Sequence, residues 1–147
     1  MRRLLGAMRQ DDQLALSPQP SLDNVDALVE DVVRTGLPVH VCVEGDPVTL
    51  PRAIDLSAYR IIQEALTNVL KHAQASKAEV TIRYDSAAVE VEVRDDGAGS
   101  AGADGVGHGL LGIRERVKLH GGEMTTENLA EGGFILRTRL PLRSERR

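Results

Sequence analysis

The spacing of hydrophobic residues along this chain switches between the period of a helix and the period of a strand, and the switches divide it into elements. Leu22, Val25, Leu28, Val29 and Val32 keep helical spacing between Ser21, a capping residue, and Gly36, a left-handed stop. Val39, Val41 and Val43 then alternate, which predicts a half-buried strand. Pro51 suits the first turn of a long helix that runs to about residue 74, with Ile61, Ile62, Ala65, Leu66, Val69 and Leu70 covering more than one stripe of it. Alternation returns at Val80 and Ile82 and again at Val89, Val91 and Val93, giving two strands joined near Asp85 and Ser86. Residues 97–109 are rich in glycine and are predicted to be a loop, followed by a helix from Leu110 that Gly121 and Gly122 close. Two last strands form a hairpin around Ala130 to Gly133. This order predicts an α/β (α+β) two-layer sandwich: a mixed sheet covered on one face by about three helices.

Composition narrows the function. The 147 residues suffice for one domain, and Asp11 to Pro20, with two prolines and a serine, read as a linker between a short helical tail and a domain over 21–147. Only Tyr59, Tyr84 and Phe134 are aromatic, so the core is aliphatic and a base-stacking platform is not expected. The formal charge is −4 and the basic residues cluster at the two ends, which leaves no basic face for nucleic acid. Cys42 is the single cysteine; its place in an apolar run predicts a buried, inert thiol and fits a reducing cytoplasm. No run reaches the roughly 18 apolar residues of a membrane span, so no membrane contact is expected of this segment, whatever a parent protein does.

Three constellations carry candidate chemistry. Glu64, Asn68 and His72 fall at i, i+4 and i+8 on the long helix with Lys71 beside them. Such a flank is also what a solvated helix face looks like, but here the apolar positions leave little of the helix for open water, and covered polar groups need partners. A carboxylate and an amide one turn apart suit a hard cation or an activated water; an ammonium suits a phosphate oxygen. The second constellation is Asp95-x-Gly97-x-Gly99 at a strand end. It reads either as a plain turn or as a carboxylate fixed to accept from an exocyclic amine, with glycines that let a flat base approach. The third, Gly105 to Gly112, contains Gly107, His108, Gly109 and Leu110 and satisfies the dinucleotide fingerprint, yet no strand immediately precedes it, so a Rossmann turn is rejected. A Walker loop is excluded because no Gly-Lys-Ser/Thr follows. Glycines running into a helix still leave amides able to hold phosphates.

The order of these boxes, with "AYRIIQEALTNVLKHAQAS", "VEVRDDGAG" and "GHGLLGIRERVKLHGGEM", resembles the GHKL superfamily of ATP-binding domains, and within it the catalytic domain of bacterial sensor histidine kinases of the nitrate/nitrite-sensor or desaturase-sensor type. The resemblance covers about residues 20 to 141 and implies a Bergerat-type fold with ATP between the long helix and a glycine-rich lid. It implies that Asn68 coordinates Mg²⁺, that Lys71 and His72 lie near phosphate oxygens, and that Glu64 orients water or assists proton removal. It further implies that Asp95 binds the adenine amine, that Gly97 and Gly99 admit the base, and that Gly105, Gly107 and Gly109, with His108 and Leu110 among them, close over the triphosphate. The implied partners are the parent's own dimerisation domain, which carries the phosphoacceptor histidine, and a downstream response regulator. Two departures stand out. Phe134 occupies the place where many members carry a threonine that supports the adenine site, and none of His40, His72, His108 or His120 has the sequence setting of a phosphoacceptor. The chain is therefore expected to be a fragment, silent in autophosphorylation alone. A protein serine kinase of the anti-sigma type, an ATPase of the gyrase or MutL kind and a non-catalytic nucleotide-binding module remain as alternatives.

Overall fold

Ser21 starts the first element. In the computed structural model, which describes residues 20–97 and 103–142, and at His72, Ala73 and 103–109 the backbone only, the Ser21 hydroxyl accepts from the Asp23 amide at 3.1 Å. The Asn24 side chain accepts from the Ser21 amide at 2.9 Å, completing a reciprocal cap on a short 3₁₀ turn, Leu22–Asn24. Helix α1 (Val25–Arg34) comes next and buries Val25, Val29 and Val32. After strand β1 (Val39–Glu44), Pro51 takes the N-cap position of α2 (Arg52–Asn68), which continues through a π-helical turn, Val69–Ala73, so that the coil ends where the sequence predicts. The remaining elements are β2 (Ala78–Tyr84), β3 (Ala88–Asp95), α3 (Ala103–Leu119), β4 (Glu123–Asn128) and β5 (Phe134–Pro141).

The five strands form one mixed sheet in the order β1-β2-β3-β5-β4, parallel between β1 and β2 and antiparallel elsewhere. Strand alternation sends Val80, Ile82, Val89, Val91, Val93, Leu136 and Leu140 to the helix-covered face, where they meet Ile61, Ile62, Leu66, Ile113 and Val117 in an aliphatic core. Each fully buried Val, Leu or Ile contributes about 1.5–3 kcal/mol, so the core and not any polar contact holds the layers together. The opposite face is polar. Arg83 bonds Glu44 at 2.7 Å, Arg137 bonds Glu92 at 3.0 Å and Arg139 bonds Glu90 at 2.8 Å, all across neighbouring strands.

Two expectations fail. Cys42 is exposed, because a period of two places it opposite Val39 and Val41, on the face that no helix covers. Helix α3 begins at Ala103 and not near Leu110, so residues 103–109, expected to be loop, are helical. The well-packed half of α3, with Ile113 and Val117 buried, propagates backward through residues of low intrinsic propensity, since extending an existing helix costs far less than starting one. At its other end α3 closes as predicted: Gly121 has φ 73°, and the Gly122 amide reaches back to the Val117 carbonyl at 3.0 Å. The proposed tail and most of the linker, residues 1–19, lie outside the described residues.

Candidate functional site

The polar flank of α2 is covered, as its apolar neighbours require. Glu64 and Asn68 are half-buried, and both Glu64 Oε1 and Asn68 Nδ2 are buried with no hydrogen-bond partner among the described residues. Uncompensated burial of such groups costs about 1–3 kcal/mol each, which makes a pair of them one turn apart a feature to be explained by a ligand. Rotating the carboxamide of Asn68 exchanges oxygen for nitrogen, so this side chain can offer an acceptor to a cation as readily as a donor to an anion. Glu64 faces α3 at Gly112, where an added methyl group would sit 3.5 Å from Oε2. Lys71, in the π-turn, is exposed; the side chain of His72 is outside the described part of the structure.

Asp95 is the last residue of β3 and points to the helix-covered face, with 5% of its surface exposed. Burial pushes its pKa up; the Gly97 amide, donating to Oδ1 at 2.8 Å, pulls the other way, and the neighbouring Asp96 charge adds to the rise. Gly133 lies against it. That residue has φ 123°, and a Cβ there would meet the Asp95 carbonyl oxygen at 2.5 Å, so only glycine lets the β4–β5 turn pass this close. Phe134 pairs directly with Asp95 in the β3–β5 register.

Topology brings the two clusters to one end of the molecule. Ala78, which opens β2, pairs with Asp95, which closes β3, and only Gln74 to Lys77 separate the π-turn of α2 from Ala78. The polar flank of α2 and the Asp95 carboxylate therefore share one end and one face of the sheet. Of the other residues singled out, Gly97 is buried beside Asp95, Leu110 packs partly against the core, Gly105, Gly107, His108 and Gly109 are in the first half of α3, and Gly99 lies outside the described residues. Sequence reading missed three contacts. One is the approach of Gly112 to Glu64. Another is a 2.7 Å hydrogen bond between Ser57 Oγ and His120 Nε2, joining α2 to the end of α3. The third is the side chain of Asp96, which binds Ser76 and Lys77. Only the Asp-Asp pair at a strand end hinted at the last; nothing local signals the other two.

Residues 54–144 match the family described as histidine kinase-, DNA gyrase B-, and HSP90-like ATPase. The chain belongs to this family. Within this ATPase family its relatives include the sensor histidine kinase LnrJ of Bacillus subtilis (strain 168), 30% identical over 86% of this chain and 32% of that protein. The sensor histidine kinase YxjM of the same organism is 36% identical over 74% of this chain and 27% of that protein. The chain thus spans about a third or less of the length of these relatives. The ATP-binding domain of PrrB from Mycobacterium tuberculosis superposes with a TM-score of 0.62 at 26% identity, over 83% of this chain and 93% of that one. The mixed sheet with helices on one face is the fold of these ATP-binding domains, and the chain corresponds to the catalytic domain of a sensor kinase. No helix among the described residues is long and apolar enough to cross a membrane.

Proposed function

We propose that this domain binds Mg-ATP and presents the γ-phosphate to a histidine on the dimerisation domain of its parent kinase, for relay to a response regulator. The observation that carries the reading is the pair of buried polar atoms on Glu64 and Asn68, unpartnered among the described residues, at the same end and face of the sheet as the buried Asp95. Asp95 accepts from the exocyclic amine of adenine, a contact that guanine, with a carbonyl at that place, cannot make. Gly97 and Gly133, lacking side chains, admit the base beside it. Asn68 is the residue that would hold Mg²⁺, through its carboxamide oxygen, which rotation of the side chain would bring to the place of the unpartnered Nδ2. When bound, the ion neutralises phosphate charge. Lys71 draws phosphate oxygens toward the helix end, and the first turn of α3 offers backbone amides to them. Glu64 orients the attacking imidazole or takes its proton. The chemistry is mainly positioning and charge neutralisation, with the nucleophile supplied from outside this domain.

Calorimetric titration with ATP and GTP, each with and without Mg²⁺, tests the binding step: ATP should bind, Mg²⁺ should tighten it, and GTP should bind at least tenfold more weakly, the scale of one missing hydrogen bond to a buried carboxylate. For the transfer step, radiolabelled ATP mixed with this domain and a separately produced dimerisation segment of the parent should give acid-labile phosphohistidine, and this domain alone should give none. Acid-stable product would favour a serine kinase, and phosphate release without transfer an ATPase.

A further inference from the structure

We propose that Asp96 is a positioning residue for the triphosphate half of the site, acting through the π-turn that carries Lys71. The proposal rests on the ATP-binding reading above and deepens it. Asp96 Oδ1 accepts from the Ser76 amide at 2.8 Å and from the Lys77 amide at 3.1 Å, and Oδ2 accepts from the Ser76 hydroxyl. One surface carboxylate therefore holds a segment about twenty residues away in sequence with three charge-assisted hydrogen bonds. Those bonds hold its own pKa below the ordinary carboxylate range, the Ser76 hydroxyl contributing most.

Apart from this grip the segment is held by apolar contacts, with Val69 in the core and Ala75 packed against it. Val69–Ala73 form a π-turn, a wide and uncommon helical ending, and Gln74 leaves it in the left-handed region at φ 52° and ψ 42°, which side chains other than glycine seldom occupy. A non-glycine residue in that region persists only when its surroundings hold it there, and the polar part of that hold is Asp96 bound to Ser76 and Lys77. Lys71 stands in that turn.

Asp95 is fixed by different means. It is paired in the sheet with Ala78 on one side and Phe134 on the other, and bonds Gly97 locally; the Asp96 side chain acts on it by charge alone. The base-binding carboxylate is thus set by the sheet, and the phosphate-binding ammonium is set against the sheet by Asp96. Removing the Asp96 side chain should loosen contacts to phosphate while sparing those to the base.

The test is calorimetric titration of ATP and of adenosine, both in Mg²⁺, into the wild-type chain, Asp96→Ala, Lys71→Ala and the double variant, with circular dichroism melts to confirm folding. We expect Asp96→Ala to weaken ATP about tenfold and to leave adenosine within about twofold, and the double variant to bind ATP no more weakly than Lys71→Ala alone. Ser76→Ala, which removes only the hydroxyl bond, should show the same selective loss at about threefold, and it carries the test if Asp96→Ala does not fold. Equal losses for ATP and adenosine, or penalties that add in the double variant, would overturn the positioning role; the Lys71 cycle decides the matter if adenosine binds too weakly to titrate. A wild-type chain that binds neither ligand would overturn the ATP reading itself, and this inference with it.

Discussion

Ionising a carboxylate in a buried site costs free energy that the unfolded chain does not spend, and Asp95 is the residue where that cost falls. Its folded pKa is raised above the ordinary 3.8, so ionisation favours the unfolded state, and the protein loses stability as pH climbs from that value through the higher folded one. Asp95→Asn, which keeps an acceptor for the Gly97 amide, should therefore raise the melting temperature at neutral pH by a few degrees, about 1 kcal/mol in a domain of this size, with the gain vanishing in acid. The same variant should weaken ATP binding, so a thermal melt and a titration on one sample check both halves. Gly133→Ala forces a side chain into a positive φ against the Asp95 carbonyl and should cost about 1–3 kcal/mol, read as a lowered denaturant midpoint with unchanged slope. Cys42, exposed on the open sheet face, should react completely with a thiol reagent such as Ellman's in the native protein, without denaturant.

At the scale of elements, α2 and α3 are joined at two levels. Near the site Glu64 meets Gly112; at the far end Ser57 and His120 share a hydrogen bond. Burial and the nearby Arg116 charge lower the pKa of His120 below 6.5, so the neutral ring belongs to the folded state. Stability from this group is fully present above the ordinary histidine pKa and is lost as pH falls from there through the depressed folded value. Melting temperature should drop as pH falls below about 6.5, and His120→Gln, which cannot gain a proton, should flatten that slope. The helical residues 103–109, expected to be loop, show what local reading misses in an element. The glycines and small residues among them carry a weak propensity, and that preference yields to propagation from the packed half of α3.

For the molecule as a whole, the sheet divides the work between its faces. One is sealed by helices over an aliphatic core; the other is laced by Arg–Glu pairs, each worth well under about 1 kcal/mol, so raising the salt concentration should barely change stability. The elements, their order and the covering of the polar flank of α2 were legible in the sequence because periodicity reports which face is buried. The burial of Cys42 was misjudged because the apolar character of the thiol was weighed above its register, which sets it with His40 and Glu44 on the face opposite Val39, Val41 and Val43. The grip of Asp96 on Ser76 and the bond from Ser57 to His120 were invisible for a different reason: their partners are about twenty and more than sixty residues apart, and no local pattern encodes such a pairing. The spacing of apolar and polar groups that marks helices and strands is read within a few residues, so the order of amino acids was enough to locate most of them. The meeting of the end of α2 with the end of β3 was settled only in three dimensions, because the pairing of Ala78 with Asp95 is a choice of strand register, made by burying one face of the whole sheet at once.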